Sequence, residues 1–409
     1  MPEKRILLKN CGKIDPGDIQ SYEGQGGFKA LEKTLGMSPD AVIAEVKASG
    51  LRGRGGAGFP CGAKWELARK SPGDEKYLIC NADEGEVGTF KDRYILQHDP
   101  FSLLEGMAIS AYAIGAKKAY IYLRAEYRYL LEGLLKAVSQ AKEREYLKDL
   151  EIEIREGAGA YICGEESALM NSIEGKRGES RFRPPFPPES GLFEKPTIIN
   201  NVETLVNIAH IILKGGTGYA ALGTEQSKGT KLFCVSGDVE RPGVYEMELG
   251  CDLRELVVDL AGAEDVGWVQ VGGSTGAIIP GEMLQTPLSY ETVLGSGAVM
   301  VFNESRDVVD FVYRTMEFLN EESCGKCTPC REGTEVMVEI LGRLNRGEGV
   351  EEDIPVLEEL SRTMMLSSLC GLGQTAPVPV LDSLKYFKKD YENRISQSVF
   401  LRSLKTVNG

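Results

Sequence analysis

Three cysteines, Cys324, Cys327 and Cys330, stand at C-x2-C-x2-C spacing within ESCGKCTPCREG, and Cys370 follows downstream in SSLCGLG. Three thiolates from one tight loop can hold three irons of a cubane while a remote cysteine takes the fourth. Zinc draws its four ligands as two separated C-x2-C pairs or with histidine partners. The chain has no second pair and no histidine near the cluster. The spacing therefore favours a [4Fe–4S] cluster over structural zinc or buried thiols. Cys370 is the preferred fourth ligand because Cys11, Cys61, Cys80, Cys163, Cys234 and Cys251 lie in other segments. The only histidines are His98 and His210, which disfavours a His-based triad or a multi-His metal site. His210 falls in the apolar run 206–213 and reads as a packed helix residue. His98 precedes Asp99-Pro100 at a predicted helix start, where a local hydrogen bond is expected. Chemistry is left to cysteines, carboxylates or a bound cofactor.

Two glycine-rich stretches carry a second kind of chemistry. LRGRGGAGFPCGAKW places Gly53, Gly55 and Gly58 at G-x-G-x-x-G spacing, with five glycines between positions 53 and 62. It is not a Rossmann turn, because a predicted helix precedes it and Pro60 follows too early, and no G-K-[ST] closes it as a P-loop. Glycines still let backbone N–H groups approach a phosphate or a planar ring, and Arg54 and Lys64 supply positive charge. A ligand cradle is expected in preference to a structural turn. The second stretch, GAGAYICGEES, follows a predicted strand and opens a helix, so its amides can also face an anion or ring. Glu165 and Glu166 at that helix start also suit its dipole. NADEGEVGTFKDR sets Asp83, Glu84 and Glu86 just after a strand ending at Cys80. Such a segment is either a solvated loop or, beside a nucleotide, a source of carboxylates for ribose hydroxyls that repel a 2′-phosphate and favour NAD over NADP.

These segments need elements to position them. Residues 27–49 read as two short helices, with a Ser-Pro-Asp start at Ser38. Strands are predicted at 76–80, 118–124 and 150–156, and helices at 103–116, 129–144, 165–174 and 201–214. This alternation implies α/β architecture, a mainly parallel sheet covered by helices. The Pro-rich stretch 181–191 is a stiff loop. From about 228 the texture changes to short strands around one helix, 252–262, suggesting a small α+β domain that ends near 303. From 306 the pattern is helical, with the cysteines lodged between helices. No repeat or low-complexity tract interrupts this order.

At 409 residues, two to four compact units are expected. The formal net charge of −14 argues against nucleic acid or an anionic membrane as the main partner. The longest nearly apolar stretch, 106–116, falls far short of the ~20 residues of a spanning helix. The N-terminus has no apolar core or cleavage site of a secretory signal. Ten cysteines without such a signal point to a reducing compartment, and a cytoplasmic location is expected.

Taken together, GRGGAGFPCGAKW, CNADEGEVGTFKDR, GAGAYICGEESALMNSIEGKRG, KPTIINNVETL and SCGKCTPCREG resemble one family across nearly the whole chain. It is the NADH-binding, FMN-containing flavin subunit shared by NADH:quinone oxidoreductase, soluble NAD-linked hydrogenases and NAD-linked formate dehydrogenases. The resemblance implies a Rossmann-like FMN/NADH domain over 1–227, a β-grasp-like domain over 228–303 and a helical cluster domain over 304–409. It implies an FMN cradle from Gly53, Arg54, Gly55, Lys64, Asn81, Asp83, Glu84 and Gly164, with Asn200, Asn201 and Thr204 at the ribityl-phosphate end. NADH would stack near Phe59, Glu86, Tyr161, Glu165, Glu166 and Phe186. Hydride would pass from NADH to FMN, and single electrons would leave through the cluster at Cys324, Cys327, Cys330 and Cys370, with no protein acid or base required. Implied partners are a small thioredoxin-like [2Fe–2S] subunit and a larger iron–sulfur, hydrogenase or formate dehydrogenase subunit in a hetero-oligomer. Gly85 and Val87 depart from the Ser and Pro common in the respiratory branch, and the tail LCGLGQTAPVPVLDSLKYF looks closer to the soluble branch. The respiratory complex is the alternative within this class, and a zinc-binding assembly module is the alternative outside it.

Overall fold

A computed structural model describes residues 3–395, so the outermost residues of the first and last expected domains, 1–2 and 396–409, lie outside the described residues. The first sheet is built on β1 (Tyr77–Ala82), whose apolar YLICNA run is buried on both faces, as in a central parallel strand. From β1 the chain passes through helices Lys91–His98 and Pro100–Ile114 to β2 (Lys118–Leu123). The helix Leu131–Glu143 then leads to β3 (Glu151–Glu156). A fourth strand, β4 (Thr197–Asn201), returns to the opposite side of β1, giving a wholly parallel order β3-β2-β1-β4. The sequence predicts β1 to β3 but assigns the start of helix Val202–Lys214 to a residue of β4.

Chain order reverses between β1 and β4. In open parallel sheets this leaves a crevice at the carboxyl ends of two neighbouring strands, the usual place for a ligand. Here those ends present Asn81 and Asn201, which are register partners. Helix Cys61–Lys70, which the sequence pattern leaves unassigned, flanks the same crevice.

The second sheet is mixed, with order β6-β5-β9-β7-β8, built from β5 (Thr230–Gly237), β6 (Gly243–Glu248), β7 (Val266–Val271), β8 (Ala277–Pro280) and β9 (Ala298–Asn303). The helix expected at 252–262 is present, but its backbone winds wide as a π-helix over Glu255–Leu260. Its Leu256 and Val257 are buried against strand residues of the sheet. Helices Val308–Glu321, Thr328–Asn345, Asp353–Ser367 and Val378–Tyr386 follow. Their apolar faces form a core around Val312, Met316, Leu341 and Met364 that also takes in Trp268 and Ile278 of the second sheet. Among the described residues no helix is long and apolar enough to cross a membrane. His98 ends helix Lys91–His98 with its ring on Tyr94, and Asp99 caps the next helix, which starts at Pro100.

Candidate functional site

The first glycine loop folds back on itself. Gly53 N donates to Phe59 O (2.9 Å), and Arg54 N donates to Thr204 Oγ1 (2.8 Å), tying the loop to helix Val202–Lys214. At Gly55 an added Cβ would lie 3.0 Å from Asn201 Cβ, so any side chain there would push the loop away from the end of β4 by a few tenths of an ångström. The loop, Asn81, the Asn200–Asn201 pair and Thr204 enclose a cavity of about 610 Å³. That size suits a nucleotide-sized ligand. Lys64 reaches its edge, donating to Ile199 O (3.1 Å) and Glu166 Oε2 (2.7 Å).

Gly164, Glu165 and Glu166 form another wall, where Glu165 caps helix Glu166–Ile173 by accepting from Ser167 N and Ala168 N (3.0 Å each). Burial alone would raise the Glu166 carboxyl, but Lys64 and Arg183 hold it below the ordinary range. The Arg183 guanidinium bonds both Glu165 and Glu166. Arg183 and Pro187–Glu189, which the sequence suggests only as a stiff loop, also line the cavity. The aromatic-proline composition of RFRPPFPPE was the available signal. Phe59 and Phe186 line the mouth with half-exposed rings, an arrangement suited to stacking on a planar ligand.

Five of the expected residues do not line this cavity. Arg54 is fully buried, and its guanidinium is spent on Arg52 O, Lys228 O, Thr230 O, Tyr219 Oη and Tyr290 Oη. The expectation that its charge faces a ligand is therefore corrected: only the backbone at Arg54 belongs to the cradle. Glu84 is corrected likewise. Its carboxylate accepts from Asp92 N (2.8 Å), Arg93 N (3.0 Å) and Tyr127 Oη (3.0 Å), satisfying amides at the start of helix Lys91–His98. Glu86 and Tyr161 bond each other (2.8 Å), and Glu86 also accepts from Ser274 N (2.6 Å) in the turn between β7 and β8. Asp83 stands just behind Gly164, where an added Cβ would meet Asp83 O at 3.4 Å and Oδ2 at 3.8 Å. Asp83 Oδ2 is buried without a hydrogen-bond partner. Burial pushes this carboxyl up to about 7, against the pull of Arg124. An orphaned carboxyl oxygen beside this wall could be satisfied by a ligand donor such as a flavin's ring N–H or a ribityl hydroxyl.

The cysteines gather in a second, smaller pocket lined by Cys324, Cys327, Cys330 and Cys370, with Ile162, Ser180, Lys326 and Leu372. Ser323 Oγ lies 3.3 Å from Cys330 Sγ, and Leu369 N donates to Cys327 Sγ at 3.5 Å. Contacts to ligand sulfurs of this kind tune cluster potential. Arg177 donates to Cys324 O (2.9 Å), and Lys326 to Ser180 O (2.7 Å), fixing the cysteine loop to the segment after helix Glu166–Ile173. Among the described residues no three His, Cys, Asp or Glu converge tightly enough to hold a single metal ion. Four thiols and no carboxylate line this pocket, a donor set that fits an iron–sulfur cluster.

The two pockets share a wall. In the turn Tyr161–Gly164, Ile162 lines the cysteine pocket and Gly164 the larger cavity. Cys370 and Gly371 divide in the same way. Tyr161 N donates to Glu322 Oε2 (2.9 Å), two residues before Cys324, which clamps that turn onto the cysteine-bearing helices.

Comparison with known proteins decides the family. Residues 46–210 match the Nuo51 FMN-binding domain, and residues 310–394 match the NADH-ubiquinone oxidoreductase-F iron-sulfur binding region. The F 2 subunit of NADH-quinone oxidoreductase from Rhizobium meliloti (strain 1021) is 43% identical over 96% of this chain and 98% of its own length. The chain belongs to the family of NADH-quinone oxidoreductase F subunits. Another relative is the HndC subunit of the NADP-reducing hydrogenase of Solidesulfovibrio fructosivorans, 44% identical over 96% of this chain and 83% of the relative. Among solved structures, an NAD+-reducing [NiFe]-hydrogenase in the H2-reduced state matches with a TM-score of 0.88 and 42% identity, covering 96% of this chain and 67% of that one. As a member of this family, the chain is an NADH-oxidising flavoprotein that carries FMN and a [4Fe–4S] cluster. It acts within a hetero-oligomeric redox complex.

Proposed function

We propose that the cavity at the β1/β4 switch point takes FMN on its inner side and NADH at its mouth, and that the four cysteines carry the exit cluster. When bound, FMN accepts hydride from NADH and divides the electron pair so that single electrons leave through the cluster. The chain's own residues bind, orient and exclude water. The loop from Gly53 to Phe59, with Lys64, Asn81, Gly164, Asn200, Asn201 and Thr204, grips the flavin. Asp83 sits behind it with a free acceptor. Phe59, Phe186, Glu165 and Glu166 receive the nicotinamide nucleotide, with the two carboxylates disfavouring a 2′-phosphate. Glu86 and Tyr161 fix the turn between the two pockets. The observation that carries this reading is the shared wall: Ile162/Gly164 and Cys370/Gly371 put neighbouring residues on the two pockets, a short path for electrons.

The domains we assign are 1–227 for flavin and NADH, 228–303 as a β-grasp-like unit and 304–409 for the cluster; apolar cores centred mainly within each unit support this division, with Leu232, Trp268 and Ile278 packing across its boundaries. We further propose a cytoplasmic NAD-linked hydrogenase or formate dehydrogenase as the parent complex, with a small thioredoxin-like [2Fe–2S] subunit and a larger iron–sulfur subunit as partners. The tail from Leu369 to Phe387 supports that branch. The test is to isolate the native complex and measure NADH-linked hydrogen or formate turnover. Hydrogen or formate activity tracking this chain is expected. Quinone reduction alone, with proton-pumping membrane subunits in the same complex, would replace it with the respiratory reading that the NADH-quinone oxidoreductase relatives equally suggest.

A further inference from the structure

The side chains of the KDR that closes NADEGEVGTFKDR have no part in the site as described so far, although its amides bond Glu84. Lys91 is 1% exposed and Asp92 is 2% exposed, in the first turn of helix Lys91–His98. Lys91 Nζ contacts Asp92 Oδ1 (2.7 Å), Glu203 Oε2 (3.1 Å) and Asn201 Oδ1 (3.1 Å). Asp92 Oδ2 accepts from Asn201 Nδ2 (2.6 Å). Asn201 lines the cavity, so this buried ion pair grips both ends of one cavity-lining carboxamide, its oxygen by a cation and its NH2 by an anion.

A flipped amide would set NH2 against an ammonium and C=O against a carboxylate, so only one orientation is allowed. Asn201 Oδ1 also accepts from Glu203 N (3.0 Å), capping helix Val202–Lys214. With those contacts made, the carboxamide has little capacity left for a ligand of its own. What Asn201 gives the cavity is position: a Cβ built on Gly55 would lie 3.5 Å from Asn201 Cγ and 3.8 Å from Nδ2, so the clamped carboxamide is part of the wall against which the first glycine loop rests. A fully buried ion pair is a weak source of stability, because desolvation offsets most of its attraction; fixing an orientation is a use for which it is suited.

We propose that Lys91 and Asp92 are positioning residues for the flavin cradle, acting through the Asn201 carboxamide on Gly55 and the loop around it. This rests on the cavity being the FMN site. The test is a double-mutant cycle on the full chain, stripped of flavin and titrated with FMN by fluorescence quenching, with iron content measured alongside. Asp92→Asn and Asn201→Ala should each weaken FMN binding about tenfold, while the double variant binds no worse than the weaker single variant, since both act through one contact. Iron content should stay at the wild-type level. Lys91→Arg, which keeps the charge, should retain most of the affinity. Multiplying effects in the double variant, or unchanged affinity in either single one, overturns the proposal. If Asp92→Asn does not fold, the cycle of Lys91→Met with Asn201→Ala is read by the same criteria, and failure of that single variant to fold as well overturns a positioning role in favour of a purely structural one. Failure of the wild-type chain to bind FMN would instead remove the cofactor site on which the proposal rests.

Discussion

Arg54 offers the sharpest separation of a ligand-binding role from a structural one. Its guanidinium donates to three carbonyls, Arg52 O (3.0 Å), Lys228 O (2.6 Å) and Thr230 O (3.0 Å), and to the hydroxyls of Tyr219 (3.2 Å) and Tyr290 (3.3 Å). Arg54→Lys keeps the charge but replaces a planar fork with three donors at one point, so at least two acceptors lose their partner. Each buried orphan costs roughly 1–3 kcal/mol, which puts the expected loss at about 3 kcal/mol. Urea unfolding of the flavin-free full chain should show a lower midpoint. FMN affinity, measured by fluorescence quenching on the folded fraction at low temperature, should stay within about threefold of wild type, a change of less than about 0.7 kcal/mol. An unchanged unfolding midpoint together with a tenfold or larger loss of FMN affinity would refute the assignment and restore Arg54 as an anion ligand.

The remaining predictions address other parts of the site. Asp83, pushed up to about 7 by burial, keeps its proton in the folded flavin-free chain through a window, from about pH 4 to 7, in which the unfolded chain has released it. Its contribution to stability is therefore lost as pH rises through that window; Asp83→Asn should flatten the fall by about 4 kcal/mol, and parallel stability–pH curves would count against it. Cys370→Ala should remove most of the iron while FMN content remains normal, whereas Cys163→Ala should keep full iron; the reverse pattern in iron analysis would displace Cys370 as the fourth ligand. Glu166→Ala should narrow the preference for NADH over NADPH in kcat/KM by roughly tenfold, about 1.4 kcal/mol, and an unchanged ratio would move that role to another residue.

Much of the fold was legible because β1 and β2 are apolar runs and β3 an alternating one, each set between helices, a pattern that points to a parallel sheet. The fourth strand was not. TIINN is short, ends in two asparagines and becomes a strand only by pairing with β1, a contact more than a hundred residues distant in sequence. Helix Cys61–Lys70 gave little signal, since Pro60 provides no side-chain cap. In the site, the glycines, Lys64 and the Glu165–Glu166 pair were readable from residue type, whereas the Asn200–Asn201 pair entered only through the family resemblance. Arg54 was misread because a cation among glycines looks like an anion ligand, while two of its acceptors lie 174 and 176 residues downstream. Glu84 was misread for a similar reason: a carboxylate in an acidic loop gives no hint that two amides of the next helix will claim it.

The central claim is that one chain receives hydride in the switch-point cavity and passes single electrons to a cluster on the four cysteines. Anaerobically purified full-length protein, titrated with NADH and followed by flavin absorbance and low-temperature EPR, tests it most directly. Wild type should hold a bound flavin that bleaches on NADH addition and should show a reduced iron–sulfur signal. In Cys327→Ala the flavin bleaching should be kept and that signal lost. Colourless protein holding zinc, with no absorbance change on NADH addition, would contradict the claim.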